Sequence, residues 1–435
     1  MSIMKNVKGT QDYLPSEQQV RNIIRETLEK TFRSYGFKPL ETPIINYNEL
    51  LSYKYGGGEE IVKEIYQLSD QGERELALRY DLTIPFSKVI GMNPEMRLPF
   101  KRYEIGKVFR DGPIKKGRLR EFIQCDVDIV GIESVSAEAE LMALAVDAFK
   151  DLNLDIYIQY NNRKLLTGLL AFVGISNEDL NSVILSLDKV EKVGIQGVLD
   201  ELTEKNINLE HINRLGDLLS DKNIYDLSYI EEAYSNDLIK SGIKELEELQ
   251  GYLESLNIKL HTTFNPFLAR GLNIYTGTVY EVFLKNSTIT SSIGSGGRYD
   301  EIIGKFLDSD RKYPTVGISF GLDVIFAALK ENNHSLVQNN RFVDLLLIPL
   351  NTMNETLYLA SLLRKNCNLK VEVDLTQKKL KKSMNYANKE NIPYVIIVGE
   401  EELDTQILKL KDMNSGEEYD VSTKSIHDGS FSLTI

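Results

Sequence analysis

The most informative segment of the chain runs from Arg102 to Gly131 and reads RYEIGKVFRDGPIKKGRLREFIQCDVDIVG. Alternate side chains of a strand point to opposite faces of its sheet. From residue 118 to residue 129 the alternate positions separate into a mostly polar set and an apolar set, namely Arg118, Arg120, Phe122, Gln124, Asp126 and Asp128 against Leu119, Ile123, Cys125, Val127 and Ile129. Gly112, Pro113 and Gly117 favour a loop before this limb. The pattern predicts a long antiparallel hairpin with one polar and one packed face.

The polar face of this hairpin has two interpretations. The outgoing limb adds Arg102, Glu104 and Arg110 to the same face. In an arbitrary hairpin, alternating charges most simply form a solvated sheet face. The density of arginines, with Gln124 and acidic residues between them, favours a binding site for a polyanion, because guanidinium groups bind phosphate and carboxylate through paired hydrogen bonds.

Composition excludes several classes of protein. The 435 residues predict two or three domains, and 42% hydrophobic with 26% charged residues is ordinary for a globular protein. A net charge of -13 argues against a protein that coats nucleic acid non-specifically. The two cysteines, Cys125 and Cys367, are too few for a disulfide scaffold and fit a reducing compartment. Without a signal sequence or an apolar run long enough to span a bilayer, we expect a cytoplasmic protein that makes no membrane contact.

Periodicity predicts two domains. In residues 1–330, strand-rich blocks at about 76–131 and 260–326 are expected to form one sheet. Residues 165–255 between them show helical spacing of apolar residues and are interpreted as a helical insertion. Beyond a polar linker, residues 341–435 alternate strands with helices, which is typical of a parallel α/β domain.

The hairpin resembles motif 2 of the class II aminoacyl-tRNA synthetases in its histidine-specific form. Further matches follow the family's order along nearly the whole chain: Lys8 to Pro15, Phe37 to Pro43 (similar to the dimer-forming motif 1), Leu78 to Thr83, Arg270 to Tyr275, Gly296 to Asp300, and Gly317 to Asp323 (similar to motif 3). The chain therefore resembles the histidyl-tRNA synthetases. The resemblance implies an α+β fold: a class II antiparallel sheet flanked by helices, a helical insertion and a C-terminal α/β anticodon-binding domain.

The implied reaction is ATP-dependent ligation of L-histidine to tRNA(His) through a histidyl-adenylate. The resemblance also implies a homodimer, with ATP as substrate and Mg²⁺ on its phosphates. Because negative charge accumulates at the α-phosphate in the transition state, fixed cations are needed there. The resemblance assigns this catalytic role to Arg110 and Arg270, which also border the bound histidine, and places Arg118 at the terminal phosphates.

Recognition of histidine requires partners for its imidazole and its ammonium group. The resemblance gives the ring N–H to Asp128 and a ring contact to Tyr275, and it places Tyr299 in the pocket wall. Around the amino group it places Asp81, Thr83 and Gln124. Taken singly, Asp128 is more simply a solvated acid at a strand end, and Tyr275 a core aromatic residue.

Two further patterns have competing interpretations. Gly294, Gly296 and Gly297 lie in a strand-like run, where they either let a ligand approach the backbone or make a turn. Lysines of a helix predicted from Thr376 to Glu390 form a basic face that is usually only solvated surface. Because the resemblance places the anticodon-binding domain here, we expect tRNA phosphate contacts from these lysines, chiefly Lys378, Lys379 and Lys382.

Two positions depart from the family pattern. Ile274 replaces the first of two tyrosines in the histidyl motif, and Val324 stands where class II enzymes usually have an arginine over the adenine. They leave open a synthetase-like paralogue that binds histidine without charging tRNA, such as a regulatory subunit of ATP phosphoribosyltransferase. That class usually lacks the C-terminal domain. A pure RNA-binding module is a third alternative, but it would not need the ATP-facing arginines.

Overall fold

The computed structural model divides the chain into two compact units, residues 1–337 and residues 338–435. It describes residues 4–53, 62–114, 117, 119–270, 274–309, 311–332, 334–338, 341–376 and 379–433. Arg118 and Lys378 lie outside these ranges, so the roles predicted for them stay predictions.

The first unit has eleven described strands, most of them in one mainly antiparallel sheet. Its strands are β1 (Lys38–Pro39), β2 (Ile45–Tyr47), β3 (Gln67–Ser69), β4 (Glu75–Leu78), β5 (Phe100–Phe109), β6 (Glu121–Val130), β7 (Ile156–Asn162), β8 (Thr262–Phe264), β9 (Thr278–Leu284), β10 (Gly294–Arg298) and β11 (Thr315–Gly321). Eight of them form one sheet in the order β1-β5-β6-β11-β10-β9-β7-β8. Only the outer pairs β1/β5 and β7/β8 are parallel. Strands β5 and β6 of the first predicted block thus join β8 to β11 of the second in one sheet, whereas β4 does not.

The hairpin predicted from the Arg102–Gly131 segment is the pair β5/β6. Arg102 lies opposite Asp128, and Glu104 lies opposite Asp126. On the apolar face, side chains such as Val127 enter the core. The polar face is also buried at Arg102, Glu104, Asp126 and Asp128, with Arg102 0% exposed, and it is half-buried towards the loop. The interpretation as a solvated sheet face is therefore wrong, because the rest of the unit covers these charges.

The helices of the first unit include those that pack against the sheet and those of the insertion. They are α1 (Pro15–Ser34), α2 (Asn48–Leu51), α3 (Thr83–Met92), α4 (Ser136–Asp151), α5 (Arg163–Phe172), α6 (Leu180–Leu187), α7 (Val190–Glu204), α8 (Leu209–Ser220), α9 (Leu227–Ala233), α10 (Asp237–Ser255), α11 (Ile302–Phe306), α12 (Leu322–Glu331) and α13 (Ser335–Gln338), with 3₁₀ turns at Lys222–Tyr225 and Lys259–His261. In α1, Ile24, Leu28 and Phe32 are fully buried at helical spacing. They pack in the same core as the apolar face of the hairpin and α4.

The segment between β7 and β8 is the helical insertion, made of α5 to α10. Its apolar residues recur on one side of each helix, as Ile212, Leu215 and Leu219 do on α8, and they are buried. A smaller sheet in the order β2-β4-β3 lies outside the main sheet. No helix in the described ranges is both long enough and apolar enough to cross a membrane.

The second unit is an α/β domain. Its strands are β12 (Leu345–Pro349), β13 (Val371–Val373), β14 (Tyr394–Val398), β15 (Ile407–Asp412) and β16 (Glu418–Ser422), and its helices are α14 (Met353–Asn366), α15 (Leu380–Lys389), α16 (Glu400–Thr405) and α17 (Thr423–His427). The sheet order is β13-β12-β14-β15-β16. The first three strands are parallel, as the alternation predicted, whereas β15 and β16 extend the sheet antiparallel.

Helix α15 begins later than the predicted Thr376. The Asp374 carboxylate accepts hydrogen bonds from the backbone N–H of Thr376 at 2.9 Å and from its hydroxyl at 2.6 Å. This local turn gives the backbone an alternative to helix at that point.

Candidate active site

The polar face of the hairpin forms one wall of a pocket in the first unit. Strands β6, β10 and β11 supply most of the pocket lining. The rest comes from the start of α3 and from the segment around residue 275. The lining residues are Thr83, Asp126, Asp128, Ile274, Tyr275, Ser295, Gly296, Gly297, Tyr299, Gly317, Ile318 and Ser319. Of the predicted histidine-binding residues, the structure thus brings Thr83, Asp128, Tyr275 and Tyr299 to a single pocket.

Asp128 is held on both of its oxygens. Nη2 of Arg102 lies 2.7 Å from Oδ2, and the hydroxyl of Tyr299 donates a hydrogen bond to Oδ1. A Cβ added at Gly317 would lie 1.9 Å from Oδ1, so only glycine leaves room for this carboxylate. Burial raises the pKa of Asp128, and the charge of Arg102 opposes the shift. Asp128 is therefore a fixed, buried acid and not a solvated one.

Asp126 lies two residues earlier on the same face. It is 3% exposed, and its Oδ1 has no hydrogen-bond partner among the described residues. Burial raises its pKa to about 8, against the charge of Arg102, and the nearby Asp128 adds to the rise. The sequence placed Asp126 on the polar face but assigned it no role.

Asp81 and Gln124, which were predicted near the amino group, are each held by a hydrogen bond within the protein. Oδ1 of Asp81 accepts from the backbone N–H of Ile84 at 3.2 Å, at the start of α3. Burial raises the pKa of Asp81 to about 6, although this hydrogen bond and the charge of Arg110 lower it. Nε2 of Gln124 donates to Oγ of Ser319 at 3.1 Å, while its buried Oε1 has no partner among the described residues. This amide oxygen remains available to accept a hydrogen bond.

The glycines of β10 serve the protein's own packing as well as the pocket wall. A Cβ at Gly297 would lie 2.9 Å from Cδ1 of Tyr275, and one at Gly296 would lie 2.0 Å from the carbonyl oxygen of Gly317. Ile274 is 6% exposed and packs in an apolar cluster with Tyr299. The tyrosine that usually stands there is therefore replaced by a core side chain.

The two described arginines predicted at the phosphates have different partners. Nε of Arg110 donates to the carbonyl oxygen of Tyr80 at 3.0 Å, and its guanidinium lies 5.3 Å from the ring centre of Phe122. Arg270 is ion-paired with Glu281 on β9. Burial lowers the pKa of Arg270, but the charges of Glu281, Tyr275 and Asp188 together with the bond to Glu281 outweigh that effect, and the net shift is upward. Both guanidinium groups are thus fixed as cations.

Asp323, beside the departure at Val324, has a structural role that the sequence did not indicate. It accepts from the hydroxyl of Tyr13 at 2.6 Å, from Nη1 of Arg21 at 2.5 Å and from the backbone N–H of Ile123 at 2.8 Å. These bonds connect α12 to α1 and β6. A Cβ at Gly117 would lie 3.4 Å from Val324, so the hairpin loop runs past this side chain.

Comparisons with known proteins identify the family of the chain. A sequence model of histidyl-tRNA synthetase matches residues 9–325, and a model of an anticodon binding domain matches residues 344–429. The chain belongs to the histidyl-tRNA synthetase family.

Several relatives in this family match almost end to end. Histidine–tRNA ligase 1 of Bacillus cereus is 57% identical over 428 residues, which cover 98% of this chain and 97% of the relative. Histidine–tRNA ligase 2 of Shouchella clausii is 52% identical over 420 residues, or 96% and 98% of the two chains. A crystal structure of histidyl-tRNA synthetase from Nostoc sp. PCC 7120 superposes with a TM-score of 0.83 at 30% identity and covers 99% of both chains.

One further structure bears on the alternative of a regulatory paralogue. A protein of Bacillus halodurans described as an ATP phosphoribosyltransferase regulatory subunit/histidyl-tRNA synthetase superposes with a TM-score of 0.74 at 22% identity and covers 91% of this chain and 98% of its own. At that identity the likeness shows the shared fold alone. The histidyl-tRNA synthetase fold predicted from the motifs is confirmed.

The predicted basic face in the second unit is partly described. Lys379, which precedes α15, and Lys382, in its first turn, are exposed to solvent. Ser383 and Ala387 of the same helix are buried. The two lysines are therefore free to approach a polyanion from solution.

Proposed function

We propose that the chain ligates L-histidine to tRNA(His). The observation that carries this proposal is the buried pocket lined by Asp126 and Asp128, which lie beside the one buried guanidinium of Arg102 and have the buried Asp81 nearby. Such an excess of carboxylates suits a ligand with an ammonium group and ring N–H donors. The 57% identity to a histidine–tRNA ligase over nearly the whole chain supports the same substrate.

The reaction proceeds in two steps. A carboxylate oxygen of histidine attacks the α-phosphorus of ATP, the bond to the β-phosphate oxygen breaks, and pyrophosphate leaves with the electron pair. A hydroxyl at the 3′ end of the tRNA then attacks the acyl carbon of histidyl-adenylate, and AMP leaves. Both steps concentrate negative charge on phosphate oxygens, so fixed cations accelerate them.

Arg110 and Arg270 supply these cations in our proposal. Each guanidinium is held by a neighbouring group, Arg110 by the Tyr80 carbonyl and Arg270 by Glu281, so little reorganisation is needed when phosphate binds. Arg118 in the hairpin loop is proposed for the terminal phosphates. Mg²⁺ enters as the counter-ion of ATP, since this ion binds chiefly to substrate phosphates and water with few carboxylates.

Residues in and around the pocket are proposed to recognise histidine. Asp128 and Tyr275 are proposed at the imidazole ring, with Asp81, Thr83 and Gln124 at the amino group. Tyr299, predicted in the pocket wall, acts by fixing Oδ1 of Asp128. A site that pairs a buried substrate N–H rejects analogues that lack it by roughly four to five orders of magnitude, so no editing site is required.

The tRNA contacts, the homodimer and the cytoplasmic location belong to the same proposal. Lys378, Lys379 and Lys382 are placed at the tRNA backbone, where lysines hold phosphates without reading sequence. A homodimer is supported by Ile45 and Tyr47, 52% and 60% exposed just beyond the segment that resembles motif 1. Two free thiols, Cys125 and Cys367, fit a cytoplasmic location.

Charging of tRNA tests the proposal. The purified chain is incubated with ATP, Mg²⁺, labelled histidine and a tRNA(His) transcript, with a tRNA of another specificity as control. We expect acid-precipitable label on tRNA(His) only. If histidine-dependent ATP–pyrophosphate exchange occurs without any charging, the chain activates histidine but does not transfer it to tRNA(His), and the proposed ligase activity is wrong. If neither occurs while histidine still binds, the regulatory paralogue is the better description.

A further inference from the structure

Among the buried acceptor atoms of the pocket lining, Oδ1 of Asp126 has neither a hydrogen bond nor an ion pair within the described ranges. Asp128 has Tyr299 on one oxygen and Arg102 near the other, whereas Oδ1 of Asp126 has no hydrogen-bond partner among the described residues. Buried polar atoms normally have partners, because desolvation without a hydrogen bond is costly. An unpaired carboxylate oxygen in a pocket wall therefore points to a ligand that donates to it.

The groups that face Asp126 leave its Oδ1 without a partner among the described residues. Directly across the hairpin, Glu104 is itself an acid and is held by the backbone N–H of Thr42 at 2.9 Å and by Nη1 of Arg79 at 2.8 Å. Arg102 is the nearest cation, but Asp128 lies at 2.7 Å and Glu104 at 3.6 Å from the same guanidinium.

On its other side Asp126 pairs in register with Ser319 of β11, whose hydrogen bond lowers the pKa of the acid. Asp81 lies close enough to raise it, and Asp126 in turn raises the pKa of Tyr275 and Tyr299. Asp126 is therefore surrounded by other acids, phenols and one shared arginine, and it has no cation of its own among the described residues.

We propose that Oδ1 of Asp126 accepts a hydrogen bond from an N–H of the histidine imidazole, which makes Asp126 a specificity-determining residue. The inference rests on the proposed function. Alternate side chains on one strand face are about 7 Å apart, which is enough for a flat five-membered ring to lie between Asp126 and Asp128. Oδ1 of Asp128 already accepts from Tyr299 and its Oδ2 faces the charge of Arg102, whereas Oδ1 of Asp126 has neither a hydrogen bond nor an ion pair among the described residues. Asp126 therefore supplies the acceptor.

The test compares histidine with 3-(thiazol-4-yl)alanine, whose ring has no N–H, in ATP–pyrophosphate exchange by the full chain. We expect Asp126→Ala to raise KM for histidine by roughly tenfold or more and to reduce discrimination against the thiazole by at least about tenfold, with KM for ATP nearly unchanged. Asp126→Asn keeps an acceptor and the side-chain shape, so its effects should be smaller.

A matched variant and a stability measurement separate binding from folding. Glu138→Gln alters another fully buried acid, which pairs with Arg298 at 2.7 Å and does not line the pocket. It should lower Tm without changing the preference for histidine over the thiazole. Asp126→Asn should not lower Tm, because it removes an acid that lies beside Asp128.

The outcomes are distinct. If the wild-type chain shows no histidine-dependent exchange, the proposed function fails. If the wild type exchanges but Asp126→Ala keeps both KM for histidine and the discrimination ratio within about twofold, the role of Asp126 is refuted. A lowered Tm with an unchanged ratio would likewise assign Asp126 a merely structural role.

Discussion

Nη2 of Arg102 lies 2.7 Å from Oδ2 of Asp128, and both side chains are buried. The guanidinium also stacks 4.3 Å from the ring centre of Phe86 and donates to the carbonyl oxygen of Leu82 at 3.2 Å. Arg102 is therefore an internal counter-ion for the acids of the pocket.

This relationship predicts a large effect on stability. Arg102→Met removes the charge that the buried acids share, and breaking a buried pair on one side costs about 3–5 kcal/mol of unfolding free energy. Denaturant unfolding measures the loss. The control is Arg214→Ala, which removes a solvent-exposed pair with Glu210 and should cost less than about 0.5 kcal/mol. Equal stability of the two variants would contradict the role of Arg102.

Tyr299→Phe should weaken histidine binding. The change keeps the ring but leaves Oδ1 of Asp128 without its donor, so we expect KM for histidine to rise roughly tenfold while KM for ATP is little changed. Tyr80→Phe is a matched control, because the buried Tyr80 hydroxyl has no partner among the described residues. Its kinetics should equal those of the wild type, and equal effects of both changes would refute the assignment.

Arg270→Ala should slow activation. Removing a fixed cation from the α-phosphate is expected to lower the exchange rate by about 100- to 1,000-fold, with tRNA binding largely retained. Exchange kinetics and a filter-binding assay with tRNA(His) measure the two effects. Arg33→Ala, which alters an arginine of a helical surface pair with Glu29, is the control. Unchanged exchange by the Arg270 variant would show that the phosphate lies elsewhere.

The buried acids also predict a pH dependence of stability. Burial raises the folded-state pKa of Asp81 to about 6 and that of Asp126 to about 8, above the ordinary value of 3.8. The folded chain then binds more protons than the unfolded chain, so the stability due to these groups falls as pH rises. Asp126→Asn removes one of these contributions, so the Tm of the variant should rise relative to that of the wild type between about pH 4 and pH 8. A Tm difference that is independent of pH would contradict the buried state of Asp126.

The basic face of α15 is tested by salt dependence. Changing both Lys379 and Lys382 to alanine should weaken tRNA(His) binding and reduce the slope of log K against log salt by about 1 to 2. Lys409 and Lys411 provide the control, since both lie in the same unit but pair with Asp420 and with Glu418, respectively. If this second double change has the same effect, general charge and not the α15 face is responsible.

Much of the fold followed from the sequence because its periodicity is local. The β5/β6 hairpin and the β12, β13 and β14 alternation are regular over several residues. The small sheet β2-β4-β3 was missed because its strands have only three or four residues. Strands β15 and β16 were not predicted. In β15 only Leu408 and Leu410 alternate with polar residues, and this pattern is too short to indicate a strand by itself.

The site was predicted less completely, because its contacts join distant parts of the chain. Tyr299 and Asp128 are 171 residues apart, and Tyr13 and Asp323 are 310 apart. The motif resemblance supplied the first pair as pocket residues, but their hydrogen bond needed the structure. Asp126 was visible on the polar face, yet only its unpaired oxygen distinguishes it from an ordinary sheet acid.

The central claim is that this pocket activates histidine, and ATP–pyrophosphate exchange with the wild-type chain tests it most directly. Labelled pyrophosphate should enter ATP when histidine is present and not when histidine is omitted or replaced by another natural amino acid. Absence of histidine-dependent exchange at saturating ATP, Mg²⁺ and histidine would contradict the account.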